Sequence, residues 1–143
     1  MKREIKNKLL GFTIIELLIV IGIITVLVAV AVVSINPSNQ LLNARNNQRK
    51  VHVETIYGAI EHYSFYERSL PPCFSTVSVG EEFDAIACEA DLTPLYLAEM
   101  PKDPVYGNGN TGYLLREDVQ TGRVGVKASG EGEGNIFAGH EWE

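Results

Sequence analysis

Residues 8–33 read KLLGFTIIELLIVIGIITVLVAVAVV, and this run decides how the chain is organised. From Leu17 to Val33 it carries no charge. With Phe12 to Ile15 added, it reaches the ~20 residues a helix needs to cross ~30 Å of hydrocarbon. One residue breaks the pattern. Glu16 is ionisable, and such a side chain within a membrane segment costs roughly 2.5 to 3.5 kcal/mol on insertion scales, so its presence marks a function. The basic residues Lys2, Arg3, Lys6 and Lys8 lie only on the N-terminal side, opposed by Glu4. By the positive-inside tendency, the N-terminus stays in the cytoplasm and everything after Ile35 is sent across the membrane.

Three other readings of the run stay open at this point. Ala29-Val30-Ala31 has the small-x-small form of a secretory cleavage site, although the apolar stretch is longer than a signal peptide's ~7 to 15 residues and contains Glu16. A plain single-pass anchor leaves Glu16 unexplained. A buried helix of a soluble core does not account for the one-sided basic flank. Met1–Lys8 carries a net charge of +3, which leaves −9 for the remainder of a chain whose total is −6. So acidic a remainder argues against nucleic-acid binding, which wants a basic face.

Lys8-Leu9-Leu10-Gly11-Phe12-Thr13-Ile14-Ile15-Glu16 resembles the class III signal sequence of type IV pilins and of the pseudopilins of type II secretion. In that family a prepilin peptidase cuts after the glycine. The resemblance therefore implies processing at Gly11–Phe12, with Phe12 as the new and commonly N-methylated N-terminus. It also implies that Glu16 is an assembly residue, pairing with the N-terminal amine of a neighbouring subunit. The residues suit those roles. Gly11 has no side chain to obstruct a protease or to resist extended backbone. Cleavage frees an α-amine of pKa about 7.7 to 8.0, close to the glutamate. A buried ion pair of this kind is a plausible way to set register. The competing view is a Glu16 that snorkels to the lipid headgroups.

After the apolar run, Asn36-Pro37 has the form of an N-cap followed by proline at a first helical position, so the helix is interrupted there. From Leu41 to about Tyr66 the chain is amphipathic, with Leu42, Val53, Ile56, Ile60 and Tyr63 near one face, which should carry a small sheet. Asn43 to Lys50 reads as a solvated helix face. Leu70-Pro71-Pro72 ends the helix, because proline cannot continue it. Asp91 to Met100 reads as a short turn or helix, Pro101 to Pro104 as a loop, and Gly107 to Gly112 as a flexible turn. Tyr113–Glu117 and Arg123–Lys127 look like two strands, with Val124, Val126 and Ala128 on one buried face. The MPKDP motif at Met100–Pro104 and the following Thr111-Gly112-Tyr113 resemble a region of pseudopilins and small pilins.

Cys73 and Cys88 are the only cysteines, and on an exported domain they read as one disulfide. Free thiols are disfavoured by that compartment, and two thiols alone cannot fill a tetrahedral metal shell. His52, His62 and His140 are scattered, and no nucleophile or phosphate-loop motif is present. Gly130-Glu131-Gly132-Glu133-Gly134 could wrap calcium, as major pseudopilins do in their C-terminal loop, but it lacks the expected aspartates and reads as a solvated acidic loop.

These readings predict an α+β fold, a long N-terminal helix packed on a small antiparallel sheet. Its divisions are a cleaved leader (1–11), a transmembrane or filament-core helix (12–35), an amphipathic helix (36–69) and a β-rich head (70–143). The expected function is that of a structural filament subunit, with neither enzymatic activity nor cofactor nor metal. The alternatives are a pseudopilin of a secretion or DNA-uptake machine and a monomeric membrane-anchored binding domain. Expected partners are copies of itself or other pilins, the prepilin peptidase, the membrane and an assembly platform, but not nucleic acid. The precursor would sit in the cytoplasmic membrane and the filament outside it or in the periplasm.

Overall fold

The computed structural model describes residues 11–106, 109–132 and 134–142, so the basic leader up to Leu10 lies outside the described residues, as do Gly107, Asn108, Glu133 and Glu143. The chain divides after Asn39 into two compact units. The first is dominated by α1 (Ile14–Ile35), 22 residues with no charge beyond Glu16. Asn36 ends it in the left-handed conformation at φ 43°, so this residue caps the C-terminus of α1 instead of acting as an extended N-cap. Asparagine tolerates that backbone better than most residues. Pro37 then opens α2 (Pro37–Glu67) at the position where its missing N–H costs nothing.

The second unit is the head. Along α2, Val53, Ile56, Ala59 and Ile60 are buried at three- and four-residue steps, as the apolar spacing predicts. Arg68 at φ 55° turns the chain out of the helix just before Leu70-Pro71-Pro72. Short 3-10 turns follow at Pro72–Thr76 and Ala85–Cys88, the second leading into α3 (Glu89–Leu92). The sheet is an antiparallel meander in the order β1 (Phe83–Asp84), β2 (Tyr113–Glu117), β3 (Val124–Ala128) and β4 (Ile136–Gly139). Tyr113 lies opposite Ala128, and Lys127 opposite Phe137. Tyr113, Leu115, Val126 and Ala128 point into the core with the α2 residues, while Leu114, Arg116 and Lys127 are only partly covered. This is the alternation expected of a half-buried strand.

Gly125 breaks the alternation, and the outer face explains why. A Cβ there would collide with the His140 carbonyl and the Trp142 ring, which cross directly over it. Trp142 donates its indole N–H to Glu82, meets Phe137 edge-on at 5.2 Å, and lies under the Lys127 ammonium at 5.1 Å. The end of the chain thus covers the middle of its own sheet.

One loop expectation needs correction here. The Gly107–Gly112 turn is not free at its described end. Thr111 is fully buried, and its N–H and hydroxyl both donate to Asp84 Oδ1, at 3.0 and 2.7 Å. The Gly112 N–H donates to Asp84 Oδ2 at 3.1 Å. One carboxylate thus satisfies the donors of a turn that glycine content alone marks as loose.

Candidate functional site

Gly11, Phe12 and Thr13 precede α1 as non-helical backbone, and Thr13 is its N-cap at φ −85° and ψ 148°. The Thr13 hydroxyl accepts the Glu16 N–H at 3.3 Å and lies 3.5 Å from Glu16 Oε2. Thr-x-x-Glu has the capping-box spacing, and here its Thr half is formed: the Thr13 hydroxyl satisfies one donor that the first turn leaves without a partner, while the Glu16 carboxylate meets that hydroxyl. It also sets the Glu16 charge at the positive end of the helix dipole, where an anion is favoured. Glu16 is therefore accommodated by contacts within its own chain. This capping role was not anticipated, although Thr13 and Glu16 stand three residues apart in the sequence.

From Gly11 to Ser34 every side chain is exposed, Phe12 at 74% and Ile14 at 81%. The segment Ile14–Ser34 is long and apolar enough to cross a membrane, about 32 Å at ~1.5 Å per residue. Thr25 and Ser34 do not interrupt it, because their hydroxyls donate back to the Gly22 and Val30 carbonyls, at 2.8 and 3.0 Å. A continuous exposed apolar helix of this kind needs lipid or other helices around it.

Within the head, Cys73 and Cys88 form the expected disulfide, with Cα atoms 5.1 Å apart and both residues buried. It joins the two 3-10 turns, and the Asp91 carboxylate accepts the Cys73 N–H at 2.8 Å beside it.

The stretch Asn43–Lys50 is not a solvated face throughout. Asn46 and Arg49 are 2% and 3% exposed. Arg49 donates to both oxygens of buried Asp103, at 2.5 and 3.0 Å, and to Glu131 at 2.8 Å. The Asn46 amide pairs with the backbone of Glu131 in both directions at 2.9 Å, and Arg45 reaches the other Glu131 oxygen at 3.2 Å. Hence the acidic loop is not simply solvated at Glu131: it is tied to α2 by side-chain and backbone bonds. Burial pushes the Asp103 carboxyl up, but the Arg49 hydrogen bond, the Val105 N–H and the Arg49 charge overcome it and hold the group below the usual carboxylate range. Glu131 is held down chiefly by its bond to Arg49. The bond to Asp103 in turn keeps the guanidinium firmly charged, against the opposing effect of burial.

The three histidines do not converge on a site. His52 shares a 2.7 Å hydrogen bond with the Tyr113 hydroxyl, and burial lowers its pKa. His140 lies 3.3 Å from Asp118, and His62 borders an open groove of about 1050 Å³ between α2 and the ends of β3 and β4. Among the described residues no group of three or more His, Cys, Asp or Glu could hold a metal ion.

Residues 6–33 match the family model described as the prokaryotic N-terminal methylation motif. No curated protein and no solved structure matches the chain. The motif, of the class III signal-sequence kind, runs into the apolar α1, and with the small four-stranded antiparallel sheet it supports an α+β, type IV pilin-like layout.

Proposed function

We propose that the protein is a structural subunit of a type IV pilus-like filament, cut at Gly11–Phe12 and polymerised through its N-terminal helices. The observation that carries this reading is the methylation motif at residues 6–33 on a helix whose side chains are exposed from Ile14 to Ser34. Apolar surface of that extent is covered by lipid in the precursor and by neighbouring helices in a filament. Removing residues 1–11 leaves an ammonium on Phe12 beside the positive end of α1, an unfavourable place for a cation. Glu16 of a neighbouring subunit supplies the compensating charge. The same asymmetric contact repeated from subunit to subunit gives an open helix and not a closed ring. The function is structural, and the precursor sits in the cytoplasmic membrane with its N-terminus inside.

Intact-mass spectrometry of the protein from its native membranes or fibres tests the reading. A mass lacking residues 1–11, with or without one methyl group, supports it. A full-length mass, or a chain beginning after Ala31, counts against it. Long surface fibres would favour a pilus, and a secretion defect without fibres a pseudopilus.

A further inference from the structure

The start of α1 is set by a side chain, two residues past the bond expected to be cut. Thr13 is extended, its hydroxyl takes the Glu16 N–H, and its carbonyl accepts the first helical bond, from Leu17 N at 3.2 Å. Were the helix to continue through Phe12 to Gly11, the Gly11 carbonyl would accept the Ile15 N–H. The group a protease must attack would then be tied into a helical turn.

We propose that Thr13 is a positioning residue for processing: by capping α1 it keeps the Gly11–Phe12 bond in non-helical backbone, with the Gly11 carbonyl free for a peptidase. This inference rests on the proposed cut at that bond. In the cut, water adds its hydroxyl to the Gly11 carbonyl carbon and the C–N bond breaks. Gly11 becomes a carboxylate and Phe12 an ammonium, so that the water's atoms are all accounted for. Glu16 shares in the positioning, because its N–H is the capped donor and its carboxylate lies beside the capping hydroxyl.

The test uses the full-length chain in lipid vesicles with a purified prepilin peptidase, and mass spectrometry to follow loss of residues 1–11. Thr13→Ala removes the cap and introduces the strongest helix former, whereas Thr13→Ser keeps a capping hydroxyl. Cleavage of the alanine variant should be about fivefold slower, the factor set by loss of an N-cap, and the serine variant should match the parent. Backbone carbon shifts in the same vesicles should show the helix reaching Phe12 in the alanine variant alone. Equal rates for all three chains would overturn the inference. So would slow cleavage of the alanine variant with an unchanged helix start, since the peptidase would then be reading the hydroxyl itself. A parent chain left whole overturns the processing reading, and this inference with it.

Discussion

The two long helices illustrate how one kind of secondary structure serves two solvents. α1 has 22 residues and no buried side chain among those described from Ile14 to Ser34, whereas α2 has 31 residues and six buried ones. Every face of α1 is apolar, so no side is marked to meet a protein core, and the helix suits lipid or a bundle of its own kind. On α2 a single stripe is buried, and two of its members, Asn46 and Arg49, are polar. The difference is one of partners. α1 carries an exposed charge, which the proposed function pairs with a neighbouring subunit, while α2 buries a charge that its own chain neutralises.

The sharpest way to break the comparison is Glu16→Ala, which should abolish filament assembly and leave the melting of the head unchanged. Fibres of normal length from that variant, seen by electron microscopy, would remove Glu16 from the assembly mechanism. The next effect concerns the internal charge. Arg49→Ala strands Asp103 in a buried site, which should cost about 3 to 5 kcal/mol in thermal or denaturant unfolding. Arg49→Met combined with Asp103→Leu should recover most of that loss, because it removes both charges and keeps apolar volume. A double variant as unstable as the single one would mean that the guanidinium acts chiefly through Glu131 and Asn46.

Reducing the disulfide, or Cys73→Ser with Cys88→Ser, should cost the head on the order of 3 kcal/mol, given the 15-residue separation of the cysteines. α1 should stay helical in detergent by circular dichroism, and loss of its helicity would contradict the division into two units.

The smallest effect is that of pH. His52 has a folded pKa below its ordinary 6.5, so below that value the unfolded chain takes up a proton that the fold resists. Stability should therefore fall as pH drops below 6.5, and His52→Gln should flatten this first step. Asp103 is likewise depressed from 3.8. Its contribution is complete above 3.8 and is lost as pH falls through the lower folded value, giving a second step in melts across the acid range. A second step that persists in the Arg49→Met, Asp103→Leu variant would assign it to other carboxylates.

The apolar α1, the buried stripe of α2 and the β2–β3 hairpin were legible because each repeats at its own period over many residues. β1 and β4 were not. They have only two and four residues, and β4 lies among glycines, too short for alternation to register. Asn46 and Arg49 did leave a signal. Leu42, Asn46, Arg49, Val53, Ile56, Ile60 and Tyr63 follow one another at steps of four and three, so the stripe passes through the polar run without interruption. Reading polarity before position hid it.

The sequence by itself determined the long apolar helix, the methylation motif that runs into it and the pairing of two cysteines that had only each other. Those features are local or follow from count. Only the tertiary structure decided that Arg49 is buried, because its carboxylates come from Asp103 and Glu131, 54 and 82 residues further along the chain. A charge can be buried only where its partners converge, and that convergence is set by how the sheet and its loops fold back on α2.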